Sequence, residues 1–379
     1  MSVFKRETLF RILTLSVSII FSLIVLEIVL RLVSPPSPFS PLLPLRPHDK
    51  MELHVNLRGV SPTAMHTTNK WGFRGPEPPG DWENHYTIVT IGGSTTACHY
   101  LDDHKTWPYL LGEKLRDKYP NVWVGNGGLD GQTTRAHIIF MEEAISQLKS
   151  KTVIVLAGAN DMGFSIGDDK SLHGSPWDNV NSWKLSIFAH SRLAQVLYIW
   201  KRILLDDVTV VKKAGHGNLV PTPLAGKGEI VNQMSPPEDL KTLLPSLPEY
   251  RENIRKIIQL GRSMNVRVIF LTQPMLFDDT EYWRGIEGKF YWFKKTRGLL
   301  SAATYWKLQD IYNKELIETC QSENTPYFDL ASGIPHSELY FYDSYHFTER
   351  GAETVATKVA EYLKTLEYGV AAVSQRSSR

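Results

Sequence analysis

Cysteine is nearly absent from this chain. Its 379 residues include only Cys98 and Cys320, too few for a disulfide framework or a cysteine-built metal cluster. An excess of one charge is missing too. The 42 Lys and Arg stand against 40 Asp and Glu, a net +2, so there is no basic footprint for nucleic acid. Nucleotide signatures are also lacking. The glycine-rich run at residues 125–131 has Asp130 where a dinucleotide fingerprint needs glycine. No phosphate-loop lysine accompanies it. His99, Asp102, Asp103 and His104 show no familiar zinc spacing and read as a solvated loop. No pattern calls for a cofactor or a metal.

What is present begins with a long apolar run. Residues 10–33 are strongly hydrophobic, and residues 12–26 carry no charge. As a helix this run is about 36 Å long, enough to cross a bilayer. Lys5, Arg6 and Arg11 precede the uncharged core, which favours a cytoplasmic amino terminus and places the rest of the chain outside the cytoplasm. A cleaved signal peptide would need a small-residue cleavage site, and residues 30–33 (Leu-Arg-Leu-Val) offer none. An uncleaved anchor over residues 1–33 is therefore expected. Residues 34–47 hold Pro35, Pro36, Pro38, Pro41, Pro44 and Pro47, a composition that suits an extended spacer of at most about 43 Å.

Residues 48–85 look irregular, an extension whose Trp71 and Phe73 pack on a larger body. From residue 86 the pattern changes. Short β-branched runs at 86–91, 121–124, 152–156, 266–272 and 327–330 alternate with helical stretches. That alternation predicts a parallel five-stranded sheet between helical layers, a flavodoxin-like α/β/α sandwich covering residues 86–369. Residues 162–248 are too long for a simple connection and read as an insertion over the site. Residues 370–379 read as a flexible tail. The aromatics of residues 278–306, among them Trp283, Tyr291, Trp292 and Tyr305, read either as core or as a platform for sugars or lipid headgroups.

Four loops then stand out because each follows a predicted strand, and so opens on one edge of the sheet. The first holds Gly92-Gly93-Ser94, a sharp turn that leaves a hydroxyl unobstructed. The second holds Gly131, the third Gly158-Ala159-Asn160-Asp161, and the last Asp343-Ser344-Tyr345-His346. In this arrangement His346 accepts the Ser94 proton while Asp343 holds the imidazole in the right tautomer. The N–H groups of Ser94 and Gly131 and the side chain of Asn160 supply the donors of an oxyanion hole.

The order and spacing of these blocks resemble the SGNH/GDSL hydrolase superfamily. Ser94 lies in its nucleophile block, with Gly93 in place of the usual aspartate. Gly131, the G-x-N-D run ending at Asp161 and the D-x-x-H run ending at His346 match its other three. An α/β-hydrolase elbow would need glycine where Thr96 stands. The apolar segment, proline linker and Trp71-Gly72-Phe73-Arg74-Gly75 look like the membrane-tethered bacterial members. By that resemblance the chain is a serine esterase acting outside the cytoplasm on an ester substrate, such as an acetylated cell-surface carbohydrate. An O-acyltransferase passing the acyl group to a sugar ranks second, and a catalytically silent binding module third. The membrane is the expected partner of the amino-terminal helix, nucleic acid is not expected, and no residue pattern specifies an oligomeric state. Cys98 and Cys320 fall in helical regions on opposite faces of such a sheet, so both are expected to be free thiols.

Overall fold

A computed structural model describes residues 3–33, 43, 45–166, 190–205, 208–215, 219–221, 223, 237–288 and 300–377. Its centre is a five-stranded sheet formed by β3 (Tyr86–Gly92), β4 (Val122–Asn126), β5 (Thr152–Leu156), β7 (Arg267–Leu271) and β8 (Tyr327–Phe328). Their spatial order is β4-β3-β5-β7-β8, and every neighbouring pair is parallel. Ile88, Val89, Ile91 and all of Val153–Leu156 are buried, as a parallel sheet covered on both faces requires.

The chain reverses its winding after β4, and right-handed crossovers then place successive helices on opposite faces. Helix α3 (Trp107–Leu115) packs with the terminal helix α12 (Glu349–Ser377) on one face. Helices α4 (Thr134–Glu143), α8 (Leu247–Ser263) and α10 (Ala302–Ser322) pack together on the other. The expected three-layer α/β/α architecture is the one observed. Helix α12 runs to Ser377, beyond the expected start of the tail at residue 370. Ala371 and Ala372 sit there, and alanine is the strongest helix former.

Residues 48–85 are more ordered than expected. Strands β1 (Lys50–Val55) and β2 (Thr63–Thr67) pair antiparallel, and β6 (Thr209–Ala214) joins β1 in parallel. The alternation was in the sequence: Leu53 and Val55 are buried, while His54 between them is exposed. The partner β6 arrives some 150 residues later, from the segment read as an insertion, so no local signal announces the pairing. Part of that segment lies outside the described residues. Its helix α6 (Arg192–Leu205) packs beside α1 (Val3–Val33) rather than on the main sheet.

Helix α1 contains a 27-residue stretch, Glu7–Val33, within which an 18-residue window reaches a mean hydropathy of 2.6. By length and composition it can cross a membrane. The end of the proline linker is not a free spacer. Leu43 and Leu45 are buried in the main core, so the soluble body begins there.

Candidate active site

Ser94 opens a four-residue helix, α2 (Ser94–Ala97), directly after β3. Two contacts hold that turn close against its surroundings. A Cβ at Gly128 would come within 2.3 Å of the Ala97 backbone nitrogen, so only glycine lets the second loop pack on α2. A Cβ at Gly93 would lie 2.4 Å from Asn160 Nδ2. The glycine that replaces the family aspartate thus lets the Asn160 amide sit over the serine turn.

The Ser94 Oγ lies 2.7 Å from His346 Nε2, and His346 Nδ1 lies 2.7 Å from Asp343 Oδ2. The other carboxylate oxygen of Asp343 accepts the backbone N–H groups of Tyr345 at 2.9 Å and His346 at 2.8 Å. This Asx-type turn explains the three-residue spacing, since one carboxylate caps the loop and still reaches the imidazole. Burial pushes the Asp343 carboxyl up. The charge of His346 and the hydrogen bonds outweigh that and hold it below its usual value. Burial likewise pushes His346 down, but the charge and hydrogen bond of Asp343 carry it above its usual value, with Asp130 adding to the lift. An ionised Asp343 requires the proton on Nδ1, which leaves the Nε2 lone pair facing the serine hydroxyl.

A cavity of about 120 Å³ lies beside Ser94, lined among others by Gly93, Gln132, Leu156, Gly158, Asn160, Gln273, Tyr345 and His346. Asn160 Nδ2 donates one hydrogen bond to the Gln132 carbonyl at 2.8 Å. Gly131 adopts φ +75°, a left-handed conformation that side chains rarely take, and its neighbour Gln132 lines the cavity. Asp161 supports this loop from beneath. Its buried carboxylate accepts the Thr134 N–H at 3.0 Å and the Thr134 hydroxyl at 2.5 Å, at the start of α4, while burial lifts its pKa to about 6.

Several residues that shape the site carried no recognisable sequence signal. The Thr95 hydroxyl donates to Gln273 Oε1 at 3.1 Å. Gln273 in turn exchanges backbone hydrogen bonds with the Asn313 side chain at 2.9 and 3.0 Å. Arg74 belongs to the Trp71–Gly75 run already noted, but nothing in that run indicates its contacts. It is 4% exposed and donates to the Ala97, Cys98 and Leu101 carbonyls at 2.7–2.8 Å. Its Nε and Nη2 also reach Asp103 Oδ1, at 3.0 and 2.8 Å. The guanidinium therefore caps the carboxyl end of α2 with all its donors satisfied. This overturns the solvated-loop expectation for residues 99–104. Asp103 is buried and also takes the Thr67 N–H and hydroxyl, while Asp102 accepts the Met65 N–H at 3.0 Å.

The aromatic stretch divides where it is described: Tyr282 is exposed, while others belong to the core. Trp283 and Tyr305 are 7% and 1% exposed, and Trp283 packs on Phe277. Tyr291 and Trp292 lie outside the described residues. Cys98 and Cys320 are buried free thiols, and burial pushes each up to about 12.

The family model of the GDSL-like Lipase/Acylhydrolase family matches residues 90–354. The chain belongs to that family. An arylesterase from Vibrio mimicus is 30% identical over 74 residues, covering 20% of this chain and 37% of that relative. The chain thus aligns with well under half of that relative's length. Among solved structures, a GDSL-like lipase from Bacteroides thetaiotaomicron is 11% identical, with a TM-score of 0.39 over 77% of this chain and 93% of that one. An acetylxylan esterase from Geobacillus stearothermophilus is 13% identical, with a TM-score of 0.40 over 73% and 93%.

Proposed function

We propose that this member of the GDSL-like family is a membrane-anchored serine esterase working through an acyl-serine intermediate. The observation that carries this reading is the continuous relay from Asp343 through His346 to Ser94, with both links at 2.7 Å. In this mechanism His346 Nε2 takes the Ser94 proton as Oγ attacks the ester carbonyl. The imidazolium so formed is stabilised by Asp343 and then protonates the leaving alcohol. Water, activated by the same imidazole, releases the acid and restores the serine. The tetrahedral oxyanion is held by the backbone N–H groups of Ser94 and Gly131 and by the second amide proton of Asn160.

The substrate is an ester with a short acyl group, such as acetyl, on a cell-envelope carbohydrate or lipid. The small cavity supports the short acyl chain, being well below the roughly 300–1,000 Å³ of pockets for drug-sized ligands. Helix α1 anchors the chain, with the basic residues of its amino end on the cytoplasmic side and the catalytic body on the other. Hydrolysis ranks ahead of transfer to a sugar, because Trp283 and Tyr305 are committed to the core and do not form an acceptor platform.

A fluorophosphonate probe tests the assignment. It is expected to label the wild-type chain on a single peptide containing Ser94. Ser94→Ala is expected to abolish both labelling and ester cleavage without lowering the thermal midpoint. Undiminished turnover in Ser94→Ala would sink the mechanism.

A further inference from the structure

Helix α6 turns outward a face unlike that of a helix facing water. Leu197, Trp200, Ile203 and Leu204 are 61%, 62%, 58% and 71% exposed. At 100° per residue these four fall within an arc of about 120°, so they form one continuous apolar stripe. The opposite side of the helix fixes this orientation. Gln195 is buried there, and Arg202 forms an ion pair with the buried Asp49 at the edge of β1.

Helix α1 indicates what covers the stripe. The Glu27 carboxylate accepts the backbone N–H groups of Arg192 and Leu193, each at 2.9 Å, and the Ser191 hydroxyl at 3.1 Å. Arg31 donates to the His190 carbonyl. The amino end of α6 is thus tied to α1 at the level of Glu27. Glu7 and Glu27 stand 20 residues apart, about 30 Å along a helix, which equals the thickness of a bilayer's hydrocarbon core. If Glu7 lies at one boundary of the core, Glu27 lies at the other, and α6 begins at that depth.

We propose that α6 is an interfacial helix whose Leu197–Leu204 stripe beds in the lipid surface on the side that carries the catalytic body. The proposal rests on the reading of α1 as a membrane span. Its composition fits: Trp200 belongs at headgroup level, and the exposed Lys201 flanks the stripe as cations do on helices that lie in the interface. With Glu27 and Arg202 as its two fixed points, α6 would hold the body at a set height and tilt above the bilayer.

The test uses the full-length chain in vesicles of phosphatidylcholine and phosphatidylglycerol. Single nitroxide labels are placed by Leu197→Cys and Leu204→Cys, by Ser18→Cys within α1, and by Tyr282→Cys on the exposed surface. Cys98 and Cys320 are buried, and the unsubstituted chain serves as the blank. Collision with oxygen reports lipid, and collision with a water-soluble nickel chelate reports solvent. Positions 197 and 204 are expected to show nickel collision several-fold below that of position 282, and oxygen collision above it. Nickel collision equal to that of position 282, with position 18 still lipid-facing, would overturn the interfacial helix and leave the anchor standing. Free nickel access at position 18 as well would overturn both. Shielding of positions 197 and 204 from both reagents, with spin–spin broadening, would also overturn it, since a second copy of the chain would then cover the stripe.

Discussion

In the proposed mechanism His346 must be unprotonated at Nε2 to accept the Ser94 proton, and its neighbours decide at what pH that holds. Asp343 and Asp130 lift its pKa above 6.5, so the imidazolium persists to higher pH than in a free histidine. Activity is therefore expected to rise with pH through a midpoint above 6.5, the reverse of the stability term, which the charged pair loses over the same rise. In Asp130→Asn the midpoint of the kcat/KM profile should move to lower pH, because one source of the lift is gone. A midpoint that stays put would remove Asp130 from the electrostatics of the site. The neighbouring amide calls for a different readout. Asn160→Ala is expected to lower kcat by roughly 100- to 1,000-fold with KM nearly unchanged, since its donor acts when charge develops on the oxygen. A raised KM with kcat intact would make it a substrate-binding residue.

At the scale of elements, the short helix that carries Ser94 is held by parts distant in sequence. Arg74 grips its carboxyl end, and Asp103 neutralises Arg74 in a buried pair. Arg74→Met leaves Asp103 buried without its partner and is expected to cost about 3–5 kcal/mol, measured by denaturant unfolding. The small sheet acts on the other side of the relay. Tyr342 is buried against Leu53, Val55 and Ala214 from β1 and β6, and its ring stacks on His346 at 5.5 Å and 7°. Tyr342→Ala is expected to lower kcat roughly 10- to 100-fold through a loosened imidazole, while Tyr342→Phe, which keeps the ring, stays near wild type. Equal losses in both variants would assign the effect to the hydroxyl. These supports were the least legible part of the sequence. Ser94, Asn160, Asp343 and His346 each sit in a local pattern with its own turn chemistry. Arg74, Gln273 and Tyr342 act through contacts made only once the chain has folded. Asp103 read as solvated because its cation, Arg74, lies 29 residues earlier, while the nearby Lys105 pairs with Glu349 instead.

For the whole molecule, strand alternation was enough to anticipate the parallel sheet and its winding, because each strand is a short apolar run bounded by turn residues. The boundary of the folded body was not legible, since Leu43 and Leu45 sit in a short proline-broken leucine run, and only burial shows where they belong. Phe73, Arg74 and β1 make residues 43–85 integral to the body. A chain beginning at Leu43 is expected to unfold in one cooperative transition, whereas one beginning at Tyr86 is expected to aggregate. Equal cooperativity in both would return that segment to the status of an appendage. The buried leucines also shorten the leash. Only residues 34–42 separate α1 from the body, at most about 28 Å of chain. On the proposed reading of α1 as an anchor, an enzyme so tethered searches in two dimensions. Its encounter rate with esters displayed on the same membrane follows their surface density, so adding inert lipid should slow their turnover while leaving a freely dissolved ester unaffected.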